Sequence, residues 1–299
     1  MTKLQTLGTH AKDWGATTRR DAWWVGPLLT FLGLCAFLIY GTWAAWMGNH
    51  FEIRKNLHGQ LDWAAGSPVA PYLSPFFSPL VYDPISPHAW IHRDLKQEIG
   101  LPFWFPFSAG FLILAFPGLF RVTCYYYRKA YYRSFWQDPP ACAVGEPRKS
   151  YWGENRWPLL FQNSHRYWMY FAVIFLVFLW YDALYAFYWP NLAADGVTVT
   201  GHRFGMGLGT LIMVIDVVLL SGFTLGCNSL RHLVGGRLDC FSCANNIARE
   251  RSGYRAWRFV SWFNDRHMLW AWMSLFSVGF TDLYIRLCSM GVWKDVTFF

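Results

Sequence analysis

The chain alternates long apolar runs with polar, proline- and glycine-rich stretches. A helix that crosses a bilayer needs roughly 20 mostly apolar residues. Five segments meet that condition: 23–47, 102–125, 165–189, 204–230 and 268–290. The irregular stretches between them must lie outside the hydrocarbon, where backbone polar groups find partners. About twenty mostly polar residues, ending in Arg19-Arg20-Asp21, precede the first run, and no small-residue cleavage site follows it, so that run is expected to stay as a helix. The predicted fold class is an all-α membrane protein of about five transmembrane helices, forming a single membrane domain over residues 1–299.

Composition supports this. Only 15% of residues are charged while 54% are hydrophobic and 20% aromatic. A soluble domain carries about 25% charged residues, so there is too little polar surface to coat a water-soluble globule. The 19 tryptophans fit a bilayer as well, because Trp collects at its two faces. The formal charge of +8 is concentrated in three places. The N-terminal tail holds Lys3, Lys12, Arg19 and Arg20, and loops 126–164 and 231–267, with their bordering arginines, hold most of the rest. Basic residues favour the cytoplasmic side, which predicts a cytoplasmic N-terminus and argues against a nucleic-acid partner. The long loop 48–100 then lies outside; it could cover the outer face, but no motif in it reads as a site.

The chain also resembles itself. Phe120-Arg-Val-Thr-Cys124 followed by Arg128 matches Phe223-Thr-Leu-Gly-Cys227 followed by Arg231. Tyr151 and Tyr254 each lie 27 residues past their cysteine, and Asn163 with His165 matches Asn264 with His267. Asp182 and Asp282 fall near the far ends of the third and fifth runs. The pattern predicts a pseudo-repeated pair of helical hairpins, helices two–three and four–five. Cys124 and Cys227 would end two helices at the depth where His165 and His267 begin two others, so two thiols and two imidazoles could converge.

Such a set suits several chemistries. Zinc takes it in tetrahedral structural sites. A Rieske-type [2Fe–2S] cluster uses two thiolates on one iron and two imidazoles on the other. A haem b would use His165 and His267 alone. Against these stands the plain reading that a cysteine in a membrane helix is a small apolar residue, as for Cys35 and Cys288, in a structural or transport protein without redox function. His232, five residues past Cys227, competes as a ligand. Cys240-Phe-Ser-Cys243 is a lone pair at metal-binding spacing, and Cys142 sits beside two prolines; no role follows for these three. Asp216, mid-helix and about 16 Å beyond Cys227 at about 1.5 Å per residue, is a candidate proton relay, because intramembrane charges are costly. The tyrosine- and arginine-rich stretch 125–136 reads as a docking surface for a soluble partner.

The run Phe120-Arg-Val-Thr-Cys-Tyr-Tyr-Tyr-Arg-Lys-Ala-Tyr-Tyr-Arg-Ser-Phe-Trp136 resembles the membrane subunit of the actinobacterial-type succinate dehydrogenase, type F complex II. So do Pro139-Pro140-Ala-Cys142, Gln162-Asn-Ser-His165-Arg, Arg231-His232-Leu-Val-Gly-Gly-Arg-Leu238 and Arg266-His267-Met. The chain departs from that pattern at Asn228 and Leu230, where the family has further candidate ligands. The resemblance implies a plasma-membrane anchor for a flavoprotein and an iron–sulfur subunit, part of a respiratory enzyme but without succinate chemistry of its own. It also implies electron transfer to quinone through a membrane-embedded Rieske-type cluster. The expected ligands are Cys124, Cys227, His165 and His267, with His232 in reserve. Tyr126, Arg128, Trp136, Arg231 and His232 are the expected quinone contacts, and lipid and a higher oligomer are further expected partners.

Overall fold

The computed structural model describes residues 13–64, 66–102, 105, 108–148, 150, 153–235 and 248–299. Lys3, Lys12, Tyr151, Arg237, Leu238, Cys240 and Cys243 lie outside the described residues. Among those described, the helices are α1 (Val25–Met47), α2 (Ala109–Thr123), α3 (Tyr125–Tyr131), α4 (His165–Tyr185), α5 (Leu208–Leu225), α6 (Asn228–Gly235), α7 (Ala248–Asn264) and α8 (His267–Ser289). Four of them, α1, α4, α5 and α8, are long and apolar enough to cross a membrane, and α2 with α3 makes a fifth span bent by 79°. Lipid-facing residues such as Leu29, Ile39, Val177 and Leu184 are 62–71% exposed, as expected of helices whose outward surface is apolar. The architecture is an all-α membrane fold.

Several boundaries differ from the apolar runs. The second run begins its described helix at Ala109 and breaks at Cys124, whose backbone is extended (φ −64°, ψ 131°). The fourth run likewise ends its helix at Leu225, and α6 restarts at Asn228. The apolar runs read from the sequence, 102–125 and 204–230, pass over both breaks. The third run ends at Tyr185 because Tyr188–Leu192 pairs with Val199–Phe204 as an antiparallel hairpin.

The described residues form two compact units, one of residues up to Ile39 with Leu119–His165, the other of Tyr40–Gly118 with Arg166–Phe299. In the first, the N-terminal tail is stitched to the loop after α3. Gly15 N–H donates to Gly145 O at 2.9 Å, Thr17 Oγ1 to Ala143 O at 2.8 Å and Arg19 Nη1 to Cys142 O at 3.0 Å. Gly145 allows this approach, since a Cβ there would lie 2.0 Å from Asp13 O. Phe31 of α1 packs on Phe135 with ring centroids 4.7 Å apart.

In the second unit, α5 and α8 pack closely. A Cβ on Gly222 would come within 2.6 Å of the Trp270 ring, the small-residue contact by which membrane helices approach one another. The loop after α1 is no loose cover: Tyr72, Phe76 and Phe77 are fully buried. Ser74 and Ser78 flank the single turn Pro75–Phe77 and donate to Asp282 of α8 and Asp182 of α4. Asp282 also accepts from Tyr40 Oη at 2.5 Å and pairs with Arg286 at 3.4 Å; Arg286 reaches Asn49 at 3.0 Å. Deeper in the loop, Arg54 pairs with Glu52 at 3.3 Å and Asp83 at 2.8 Å, and Ser86 donates to Glu52.

His88 Nδ1 lies 3.7 Å from Asp182 Oδ1. Burial pulls the His88 pKa down, but Asp182 and Glu52 outweigh it and the net shift is upward. Burial also pushes Glu52 up, against the attraction of Arg54 and His88. A group that holds its proton more tightly when folded stabilises the fold below its unfolded pKa and loses that contribution as pH rises through the folded value. The loop is therefore expected to loosen as pH climbs above the ordinary imidazole value of about 6.5. Hydrogen exchange across 49–94 should speed up beyond its intrinsic pH dependence, and His88→Gln should flatten the extra trend. Loop protection that grows with pH would contradict this account.

Candidate metal centre

Each cysteine of interest sits where a membrane helix breaks. Cys124 N–H bonds Arg121 O at 3.1 Å, and Cys124 O accepts from Arg128 N at 2.8 Å, opening α3. Cys227 N–H bonds Thr224 O at 3.3 Å, and Cys227 O accepts from Arg231 N at 3.0 Å, opening α6. Both residues are buried, 4% and 1% exposed, so each thiol is held at a corner by backbone bonds and shielded from water.

In the first unit, the ring of His165 lies flat against Phe120, with centroids 4.9 Å apart and planes 6° from parallel. Thr123 Oγ1 is 2.9 Å from His165 Nδ1. In the second unit, His267 lies against Phe223 at 5.0 Å and 19°. Each phenylalanine is four residues before its cysteine. The residue just before the cysteine faces the imidazole in both cases. Thr123 offers a hydroxyl, whereas a Cβ on Gly226 would come 3.1 Å from His267 Nδ1. Asn264 Nδ2 donates to Gly226 O at 2.7 Å, tying the start of α8 to the end of α5.

Phe120 and Thr123 thus hold His165 in one unit, and Phe223 and the end of α5 at Gly226 meet His267 in the other. Among the described residues no three His, Cys, Asp or Glu stand together as a ready metal cage. The donor chemistry nevertheless fits an iron–sulfur centre, with two buried thiols and two oriented imidazoles. A hydrogen bond or packed neighbour that fixes the ring is how metal-binding histidines are held. His232 is different, being exposed on α6. Cys142 is exposed, Cys35 partly buried and Cys288 buried.

The supporting residues are where sequence reasoning was thinnest. Arg128 forms an ion pair with Glu154 and stacks over Tyr125, 4.4 Å from the centroid. Arg231 donates to Ser261 Oγ at 2.9 Å and stacks over Trp257 at 4.9 Å. Tyr126 is partly buried on α3, and Trp136 is 40% exposed at the end of the turn that follows. Asp216 is 3% exposed midway along α5. Thr123, Phe120, Phe223, Glu154 and Ser261 carried no chemical signal, though the two phenylalanines open the two repeated strings.

Thr123→Val keeps the shape but removes the hydroxyl that fixes His165. The expected cost is about 1 kcal/mol of stability, the usual net worth of one hydrogen bond, with Thr123→Ser restoring most of it. Detergent unfolding of the three proteins measures this, and equal stability of all three would show that the contact does not hold the ring.

Comparison with known proteins bears on the whole chain. Residues 25–291 match the family model described as actinobacterial succinate dehydrogenase subunit SdhC. A chain of the Mycobacterium smegmatis Sdh1 complex in the apo form is similar at 41% identity, covering 95% of this chain and 94% of that one, with a TM-score of 0.74. No curated protein matches. The SdhC match over nearly the full length shows that the chain belongs to the actinobacterial SdhC family, the multi-pass membrane-anchor subunits of succinate dehydrogenase.

Proposed function

We propose that this anchor carries electrons as well as holding its partners, taking them from an iron–sulfur subunit and delivering them to quinone through a Rieske-type [2Fe–2S] cluster. Cys124, Cys227, His165 and His267 would hold the cluster. The observation that carries the reading is the recurrence, at two helix breaks, of a buried cysteine four residues after the phenylalanine that stacks on an imidazole. When bound, such a cluster supplies one-electron transfer at roughly −150 to +300 mV, raised by its imidazole ligands. The chain's own part is to keep two thiols dry and two rings fixed. His232 is exposed, whereas Cys124 and Cys227 are buried and His165 and His267 half-buried, which leaves it the reserve ligand.

The flavoprotein and iron–sulfur subunits dock, in this reading, on the cytoplasmic side, where α3 carries Arg128 and Lys129, the turn after it Arg133, and α7 Arg255 and Arg258. Quinone takes hydrogen bonds from among Tyr126, Arg128, Trp136, Arg231 and His232. Asp216, buried in α5, is the candidate relay for protons between quinone and solvent.

The deciding measurement is low-temperature EPR with a visible spectrum on the dithionite-reduced complex, comparing wild type with Cys124→Ala. A Rieske-type signal lost in the variant is the expected result. A Soret band with unchanged EPR would instead assign His165 and His267 to haem. Absence of both would leave the chain an anchor without a redox centre.

A further inference from the structure

The C-terminal end of α1, the start of α2 and the loop between them line a cavity of about 260 Å³, all of it within the second unit. Trp46, Met47 and Trp63 stand among its apolar walls, and Arg54, Lys96, Asp83 and Asp94 among its polar ones. The side chain of Arg54 is only 3% exposed. Its guanidinium lies over the Trp63 ring, 4.1 Å from the centroid. Nε and Nη2 donate to Glu52 at 3.3 Å, and Nη2 also to Asp83 at 2.8 Å. Among the described residues no bond engages Nη1. A guanidinium fixed in this way, with one amino group unbonded in a cavity wall, is a ready donor to a phosphate oxygen.

The charges on the described lining balance, two cations against two carboxylates. Asp83 is taken up by Arg54 and by the N–H groups of Ile85 at 3.0 Å and Ser86 at 2.8 Å. Asp94 is exposed and accepts from Gln97 N–H at 3.2 Å through one oxygen, Oδ1. Inorganic phosphate would meet the carboxylates, and a bare amine would meet Arg54 and Lys96. A phosphate joined to an ammonium by a short linker satisfies both signs at once.

Position says where such a group comes from. Met47 is the last residue of α1 and Ala109 the first of α2, so the cavity sits where both helices leave the hydrocarbon. Trp43, Trp46 and Met47 share one face of α1 at helical spacing and are 47–50% exposed, and Leu112 of α2 is 41% exposed. Tryptophan gathered at a helix end marks headgroup depth, and this apolar face gives an acyl chain a surface to lie on. The volume is below the range of pockets that enclose a whole drug-sized molecule, about 300–1,000 Å³, and suits a headgroup.

We propose that this cavity binds the headgroup of an amine-bearing phospholipid, its phosphate against Arg54 and Lys96, its ammonium against Asp94, and its acyl chains along Trp43, Met47 and Leu112. On the orientation that the basic loops predict, the lipid belongs to the outer leaflet. The site depends on neither the cluster nor quinone.

The test is native mass spectrometry of the intact complex, delipidated in mild detergent and titrated in turn with phosphatidylethanolamine, phosphatidylglycerol and phosphatidylcholine. Phosphatidylethanolamine is expected to bind about tenfold more tightly than the other two, one lacking the ammonium and the other having no N–H to donate. Lys96→Gln and Asp94→Asn, which spare the buried Arg54, should each remove most of that preference. Phosphatidylethanolamine carrying a diazirine near its headgroup should crosslink within 43–47 or 108–112. Excess unlabelled lipid should suppress that crosslink, and soluble phosphoethanolamine at the same concentration should not. Equal binding of the three lipids, a preference that both variants leave unchanged, or crosslinks confined to other segments would overturn the proposal. Displacement by soluble phosphoethanolamine as effective as by lipid would overturn it too, assigning the site to a free solute.

Discussion

A carboxylate inside a membrane protein must be hydrogen-bonded, because the hydrocarbon offers it no water, and Asp182 and Asp282 are where this requirement organises the structure. Each sits near the end of a long helix and accepts a serine hydroxyl from one short turn, Ser74 on one side and Ser78 on the other. The apolar residues between the serines, Phe76 and Phe77, are thereby driven into the core. Arg286 and Tyr40 complete the shell of Asp282. Breaking a buried charge pair by removing one partner typically costs about 3–5 kcal/mol, so the loop, α1, α4 and α8 of this unit are bound into one cooperative piece.

At the other ends of the helices the constraint is geometric. A helix that stops at a cysteine, turns through an extended or irregular residue and resumes as a short helix leaves the cysteine at the corner with its backbone already bonded on both sides. The break at Cys124 bends the chain by 79°, and the break at Cys227 opens α6. Redox or metal chemistry gains from such a corner, since the donor is fixed by the turn itself and its position does not depend on a flexible loop.

The spans were legible because hydrophobic length is a strong signal, and the similar strings around Phe120 and Phe223 pointed to the two phenylalanines on which His165 and His267 stack. The helix breaks were not legible, since no proline or glycine adjoins Cys124 and the glycine before Cys227, Gly226, is one of several in its apolar run. The role of the long loop was hidden too. Serine is common in loops, and nothing in Ser74-Pro-Phe-Phe-Ser78 shows that its hydroxyls reach residues more than a hundred positions away. His88 became informative only once folding set it against Asp182.

The two arginines that follow the cysteines deserve a different description from the one their charge invites. Arg128 is occupied by Glu154 and Tyr125, and Arg231 by Ser261 and Trp257. Each fastens the short helix after its cysteine to the segment that leads back to its histidine. They act as braces between two stretches of chain, so a function lost on removing either one would not alone identify the arginine as a ligand or as a contact for a partner.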